Sequence, residues 1–301
     1  MAESIFHVEG STSTLLGILN QFHGATDLTY QTILGSTINH KRNIIPLIEP
    51  PSLPLLRYFG IGINGFYNTD DANGRAPHQP LPTNMDLYEP IPFRCVPIEN
   101  DLTPEERVNY RLREVKRING NNYCLYWLKL ITYDPNTVSI IQKTPSGAEE
   151  VFSIADSNSI DSRLNPIPPA LSVGGLPPLS QNRLIVRATG NCLVTGAEVA
   201  EAVNLLYEGN YTKALISEMG FYTGCEIYVR NSEGIETAVL VNNNEPVPVI
   251  SGVSAPTGAT GRESAYTQLS KHRCFIGVDM SNIESTMTPT ISFEAGGVIN
   301  L

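Results

Sequence analysis

The hydrophobic pattern changes period several times along the chain, and each change marks a predicted element. Residues 13–22 (STLLGILNQF) place apolar side chains at helical spacing, with Ser11 or Ser13 as cap and Gly24 as stop. Residues 43–56 (NIIPLIEPPSLPLL) predict an extended arm. Proline fixes φ and removes a backbone donor, which bars such a run from a sheet interior. Residues 55–63 (LLRYFGIGI) read as a strand. The long irregular stretch 67–92 follows, and loops of that length inside a compact domain tend to be functional.

The strongest local signal is TPEERVNYRLREVKRING. Thr103 as N-cap, Pro104 at the first helical position and Glu106 two residues later form a capping box. Val108, Leu112 and Val115 share one helical face, and Asn119-Gly120 supplies a stop. The pattern therefore predicts a helix over 104–118. Residues 122–133, 137–143 and 149–154 then alternate, with the β-branched and aromatic types that suit strands, and predict a three-stranded meander.

A Pro/Gly-rich stretch at 161–182 reads as a linker. Beyond it the sequence predicts a strand at 183–189, a helix at 196–208 with a second capping box (Thr195 and Glu198), and a short helix at 212–219. Strands at 225–230 and 235–241 flank Asn231-Ser232-Glu233-Gly234, a hairpin signal. Residues 251–263 read as a flexible tip, followed by strand-like pieces at 273–279 and 290–294. The expected class is α+β and β-rich, with antiparallel meander or sandwich-like sheets, a few short capped helices and long Pro/Gly-rich loops. The expected division is an N-terminal helix and arm (1–56), a β-rich domain carrying the 104–118 helix (57–160), the linker (161–182) and a second α+β region with a C-terminal β tail (183–301).

Composition narrows the function classes. The net charge is −10 over 301 residues. Neither half is basic, so the electrostatic footprint of a nucleic-acid binder is missing and no direct nucleic-acid binding is expected. No apolar run approaches the roughly 20 residues of a membrane span, and no membrane association is expected. The N-terminal MAESIFHVEGSTST lacks the cationic and apolar regions of a signal peptide, so synthesis in the cytoplasm is expected. The five cysteines, Cys95, Cys124, Cys192, Cys225 and Cys274, are scattered and read as buried, reduced thiols.

The sequence carries no familiar catalytic motif. The histidines His7, His23, His40, His78 and His272 lie far apart, without metal-ligand spacing. Thr69 to Gly74 resembles a calcium loop, yet its twelfth position falls on Pro80 instead of a bidentate Glu. The Arg187–Gly196 strand-to-helix turn lacks the glycines that cradle a pyrophosphate. Cys192 precedes a helix start, but nothing in the sequence pairs it with His272. The pairs Asp70-Asp71, Glu105-Glu106 and Glu149-Glu150 have no visible partner across a cleft. The cations Arg107, Arg111, Arg113, Lys116 and Arg117 read as a solvated or interface face of the 104–118 helix. No catalytic residue, metal or cofactor is expected.

Three stretches carry a family resemblance: Arg57 to Val115, which includes YFGIGINGFYNTDDANGRAPHQPLPTNMDLYEPIPF; Tyr126-Trp127-Leu128-Lys129; and Val194 to Cys225. Together they resemble the virion structural proteins of about 300 residues encoded by large tailed bacteriophages. The resemblance implies a non-enzymatic component of the neck, tail or baseplate, located in the virion after synthesis in the host cytoplasm. It supplies no catalytic residues.

The arm fits such a part. Ile45, Leu47, Ile48, Leu53, Leu55 and Leu56 are large and apolar, and burying each contributes roughly 1.5–3 kcal/mol. Proline denies this arm cover by strand pairing within its own domain. The 67–92 loop adds Asn73, Arg75, His78, Asn84 and the amphipathic Tyr88. These two segments are the expected inter-subunit contacts, with other copies of the chain and other virion proteins as partners. The alternatives are a carbohydrate- or receptor-binding module, and a hydrolase that uses the 67–92 loop as a lid.

Overall fold

The computed structural model describes residues 3–5, 55–68, 74–78, 87–143, 148–153, 181–230, 236–241 and 269–300. In chain order these begin with β1 (Glu3–Ile5), β2 (Leu55–Gly62), a hairpin of β3 (Phe66–Asn68) and β4 (Arg75–Pro77), β5 (Pro90–Ile91) and β6 (Arg94–Pro97). A one-turn helix α1 (Pro104–Arg107) leads into β7 (Tyr110–Ile118), β8 (Asn121–Leu130) and β9 (Thr132–Tyr133). Next come β10 (Ser139–Lys143), β11 (Glu149–Ser153), β12 (Gln181–Asn191), β13 (Val194–Thr195) and helix α2 (Gly196–Leu206). The remaining strands are β14 (Leu215–Arg230), β15 (Glu236–Val241), β16 (Leu269–Asp279), β17 (Thr286–Met287) and β18 (Thr290–Asn300). The protein is β-rich α+β.

Among the described residues, nine strands form one sheet along the path β1-β16-β14-β2-β8-β6, with β15 on β14, β5 on β2 and β7 on β8. Five form a second sheet, β11-β10-β12-β18, with β9 beside β12. Strands remote in sequence sit side by side: β2 pairs β14 from Gly62 opposite Glu218 to Leu55 opposite Gly224. The core joins both sheets. Phe221 of β14 meets Phe293 of β18 edge-on at 5.3 Å, and Phe59 meets Phe93 at 5.2 Å. Val199, Ala202 and Val203 of α2 belong to the same fully buried cluster.

The capping boxes hold at both predicted sites. Thr103 and Glu106 exchange side-chain-to-backbone bonds at α1, as do Thr195 and Glu198 at α2. The expected helix 104–118, however, stops after one turn and continues as strand β7. Val108, assigned to its apolar face, is 57% exposed, whereas Arg111 and Arg113 are buried. Asn119 and Gly120 take φ of 49° and 87°. Two consecutive positive φ values make the tight turn of a β-hairpin, so the dipeptide that resembled a helix stop joins β7 to β8.

Two further expectations are corrected. The strands over 122–154 do not form one meander: β8 belongs to the nine-stranded sheet, and the β10–β11 hairpin to the other. The chain changes sheet at Ile131, which turns into the core and donates its N–H to the Arg57 carbonyl. The expected helix 212–219 is a 3-10 turn at Tyr211–Lys213 followed by β14. Ile216, Ser217, Glu218, Met219 and Phe221 are all buried, so this strand is covered on both faces and shows no alternation. Without alternation, periodicity does not separate a strand from a helix.

The predicted strands at 55–63, 183–189, 273–279 and 290–294 and the 225–241 hairpin match β2, β12, β16, β18 and the β14–β15 pair. The expected helix at 13–22, arm residues 43–54, the 251–263 tip and linker residues 161–180 lie outside the described residues.

Candidate functional site

The site begins with two glycines, Gly62 at the end of β2 and Gly65 just beyond it. A Cβ at Gly62 would collide with the Glu218 carboxylate, and one at Gly65 with the Ser217 carbonyl. Only glycine allows this close approach of the chain to β14. Ser217 Oγ accepts from the Gly65 N–H at 2.9 Å. The buried Glu218 carboxylate accepts from the backbone N–H groups of Tyr88 at 3.0 Å and Glu89 at 2.9 Å. A carboxylate held by two consecutive backbone donors pins the Tyr88-Glu89 segment onto β14.

On that frame stands the β3–β4 hairpin. The His78 N–H donates to the Gly65 carbonyl at 2.8 Å. The His78 ring stacks on Tyr88 with centroids 4.2 Å apart, and its centroid lies 5.2 Å from that of Tyr67. Tyr67 is 49% and Tyr88 38% exposed. Beside them runs a groove of ≈ 580 Å³, lined by Ile63, Asn64, Phe66, Tyr67, His78, Thr212, Lys213, Leu215 and Ser217. Lys213 marks its other wall, 3.5 Å from Glu89 and 5.5 Å from the centre of the Tyr207 ring.

Of the expected contact residues, His78 and Tyr88 are thus brought together. Arg75 lies in β4 opposite Asn68. Ile45, Leu47, Ile48, Leu53 and Asn73 lie outside the described residues. Sequence reasoning missed Tyr67, Lys213 and Glu218. The last had a signal: a lone acid in the apolar run LISEMGFY reads as a buried charge in need of donors.

Four other carboxylates, Glu226, Asp101, Glu198 and Glu201, each bind a cation. Glu226 accepts from Arg111 at 2.9 Å and from the Tyr58 hydroxyl at 2.7 Å. Asp101 accepts from Arg113 at 2.8 Å and Tyr126 at 2.6 Å. Glu198 accepts from Lys129 at 2.6 Å and Tyr110 at 2.7 Å, while its second oxygen caps α2. Glu201 bonds Arg94 at 3.0 Å and the Cys95 N–H. Arg107, Arg111 and Arg113 are therefore interior groups, correcting their assignment to a solvated or interface face; Lys116 and Arg117 are exposed. Arg111 is buried against an acid 115 residues along the chain, and Arg113 against Asp101, which precedes it by 12 residues.

Burial raises the Tyr58 phenol well above its ordinary value, reinforced by the Glu226 charge. Burial and the neighbouring carboxylates likewise raise Tyr110 and Tyr126. Burial pushes the Cys124 thiol up to about 11 and raises Cys95 further. Both are protonated at neutral pH and are poor nucleophiles. Cys95, Cys124 and Cys192 are all buried.

The strand-to-helix turn at 187–196 is covered from outside. The Gly196 N–H donates to the Ser285 carbonyl at 2.7 Å, and a Cβ there would strike the Asn282 carbonyl. Among the described residues, no three His, Cys, Asp or Glu side chains converge on a metal-sized site. Among the same residues, no helix is long and apolar enough to cross a membrane.

No curated protein and no solved structure matches this chain. A family model matches residues 1–247, a span that takes in the groove and the ion pairs of the interior. The chain accordingly belongs to DUF7208, a family of unknown function.

Proposed function

We propose that this protein is a non-enzymatic structural component of a tailed-phage virion, assembled through inter-subunit contacts in the neck, tail or baseplate. The observation that carries the reading is the contrast between interior and rim. The interior acids Asp101, Glu198 and Glu226 each bind both a cation and a tyrosine hydroxyl, the arrangement of a rigid scaffold. Tyr67, His78 and Tyr88 form an aromatic ledge beside the groove, held by backbone bonds to Glu218 and Gly65. Tyrosines that are rigidly held and half exposed are the residue type enriched at protein interfaces. The resemblance of residues 57–115 and 194–225 to virion structural proteins gives the reading its setting.

The test is electron microscopy of the purified chain together with a mass-spectrometric inventory of purified virions. Rings or higher assemblies, and recovery of the chain in stoichiometric amounts from particles, are expected. A monomer at every concentration, absent from particles, refutes the reading. The same ring faces support a second reading, a carbohydrate-binding module of the particle, because sugar C–H faces stack on exposed aromatic rings. An oligosaccharide array separates the two.

A further inference from the structure

We propose that β18 is an edge between subunits, pairing antiparallel with β18 of a second copy so that two five-stranded sheets become one. The proposal rests on the assembly reading above and names a surface through which the copies meet.

The second sheet runs β11-β10-β12-β18 and ends on β18. On one side β12 pairs its full length, from Asn300 opposite Gln181 to Thr290 opposite Asn191. Among the described residues, no strand pairs its other side. Its side-chain bonds also run to β12: Thr290 Oγ1 donates to Asn191 at 2.9 Å, and Ser292 Oγ lies 3.4 Å from Thr189 Oγ1. A strand edge presents a row of backbone donors and acceptors, which folds shield with charge, proline or shortness. The other edges carry such shields. β1, β5 and β9 are two or three residues long. β6 ends in Pro97, and its Cys95 N–H donates to Glu201. β7 bears Arg111, Arg113, Glu114, Lys116 and Arg117. β11 opens on Glu149-Glu150, and β15 is six residues long and opens on Glu236. β18 (TISFEAGGVIN) has eleven residues, no proline and one charge, Glu294.

A second β18 matches this edge in length and charge. β11 of a neighbour has five residues and leaves more than half of the edge uncovered. The stretch that joins β11 to β12 in the same sheet holds Pro166, Pro168, Pro169, Pro177 and Pro178, and proline cannot donate to a ladder. Pairing with the same strand of another copy is isologous and closes at two chains. Alternation fixes the register. Ile291 and Phe293 are fully buried and Ser292 is exposed, so odd positions face the core and even ones face away. A continuous sheet keeps both cores on one side, so odd positions pair with odd. A two-fold axis at Ala295 overlaps all eleven residues. It sets Ser292 opposite the partner's Val298 and Glu294 opposite the partner's Gly296. An axis one residue earlier sets Glu294 directly against its own copy, a like-charge pair that opposes association.

Two differently tagged full-length chains, one carrying Ser292→Cys and the other Val298→Cys, are co-expressed, oxidised and analysed by peptide mass spectrometry. The expected product is a dimer with both tags, joined by a disulfide between positions 292 and 298. A disulfide from either position to any other cysteine, within one chain or between chains, or none at all, overturns the proposal. Sedimentation of the untagged wild-type chain separates the two levels of inference. If it assembles while 292 and 298 stay unlinked, the β18 edge is wrong and the assembly reading stands; if it stays monomeric at every concentration, both fall. Two substitutions at one position give an independent readout. Gly296→Lys places a cation opposite Glu294 twice by symmetry and is expected to lower the dissociation constant about threefold. Gly296→Glu places like charges there and is expected to raise it about threefold. A shift in the same direction for both, or in neither, overturns the pairing.

Discussion

The ion pair between Lys129 and Glu198 ties the nine-stranded sheet to helix α2, and its removal has a calculable cost. The Lys129 ammonium lies 2.6 Å from Glu198 Oε1, with side-chain exposures of 9% and 6%. It also sits 5.7 Å from the centre of the Phe93 ring and 5.5 Å from that of Tyr110. Glu198→Ala leaves that ammonium buried without its counter-charge, and breaking a buried pair from one side costs about 3–5 kcal/mol. The substitution also removes half of the capping box, worth about 1 kcal/mol. Lys129→Met keeps the aliphatic stem and leaves the carboxylate to the Tyr110 hydroxyl and the Thr195 N–H, so about 3 kcal/mol is expected. The double variant holds no unpaired charge and is expected to lose only about 4 kcal/mol, a coupling of about 3–5 kcal/mol between the sites. Denaturant unfolding, followed in parallel by Trp127 fluorescence and far-ultraviolet circular dichroism, measures all four corners. If the single costs add to within about 0.5 kcal/mol, the pair is not coupled and the scaffold role assigned to it is wrong.

Alkaline pH tests the buried and half-buried phenols: Tyr58, Tyr110, Tyr126, Tyr133 and Tyr207 are all raised, chiefly by burial. The folded chain keeps protons that the unfolded chain releases above about pH 10, so stability is full below that pH and falls as pH rises beyond it. Tyrosinate absorbance is expected to rise for these residues only with cooperative unfolding, and their smooth titration near pH 10 in an intact fold overturns the assignment. Gly196→Ala opposes two effects: helix propensity favours alanine by about 1 kcal/mol, while overpacking against the Asn282 carbonyl costs about 1–3 kcal/mol. A lower melting temperature is expected, and a higher one refutes the contact. Gly120→Ala meets no neighbour within 4 Å and adds only backbone strain at φ 87°, about 1 kcal/mol. No loss of stability there argues against the β7–β8 hairpin turn.

What the sequence revealed and what it hid divide along contact range. Both capping boxes were legible because all their atoms lie within four consecutive residues. The 225–241 hairpin was legible for the same reason, its turn chemistry being local. The length of α1 was not. Thr103 and Glu106 specify a helix start, but whether it propagates depends on what Arg111 and Arg113 meet. They meet Glu226, 115 residues along the chain, and Asp101. A helix in isolation gains little per residue, whereas tertiary contacts decide the outcome. Asn119-Gly120 serves a helix stop and a hairpin equally well, so the dipeptide carried no vote of its own.

The candidate site follows the same logic one level up. His78 and Tyr88 could be singled out as polar and aromatic residues in a long loop, but their stacking depends on Glu218. That residue lies 130 positions from Tyr88 and binds its backbone. Tyr67 and Lys213 belong to the groove only because β14 returns beside β2, a pairing that no local pattern announces. The glycines at 62 and 65 are where the two levels meet. Each looks like an ordinary loop or strand glycine, and each is required because the β14 backbone or the Glu218 side chain passes within contact distance. Both positions therefore bear on function through geometry. Gly65 sets the carbonyl that receives the His78 N–H, and Gly62 makes room for the carboxylate that holds Tyr88. A side chain at either glycine would shift one wall of the groove against the other while leaving every residue that lines it unchanged.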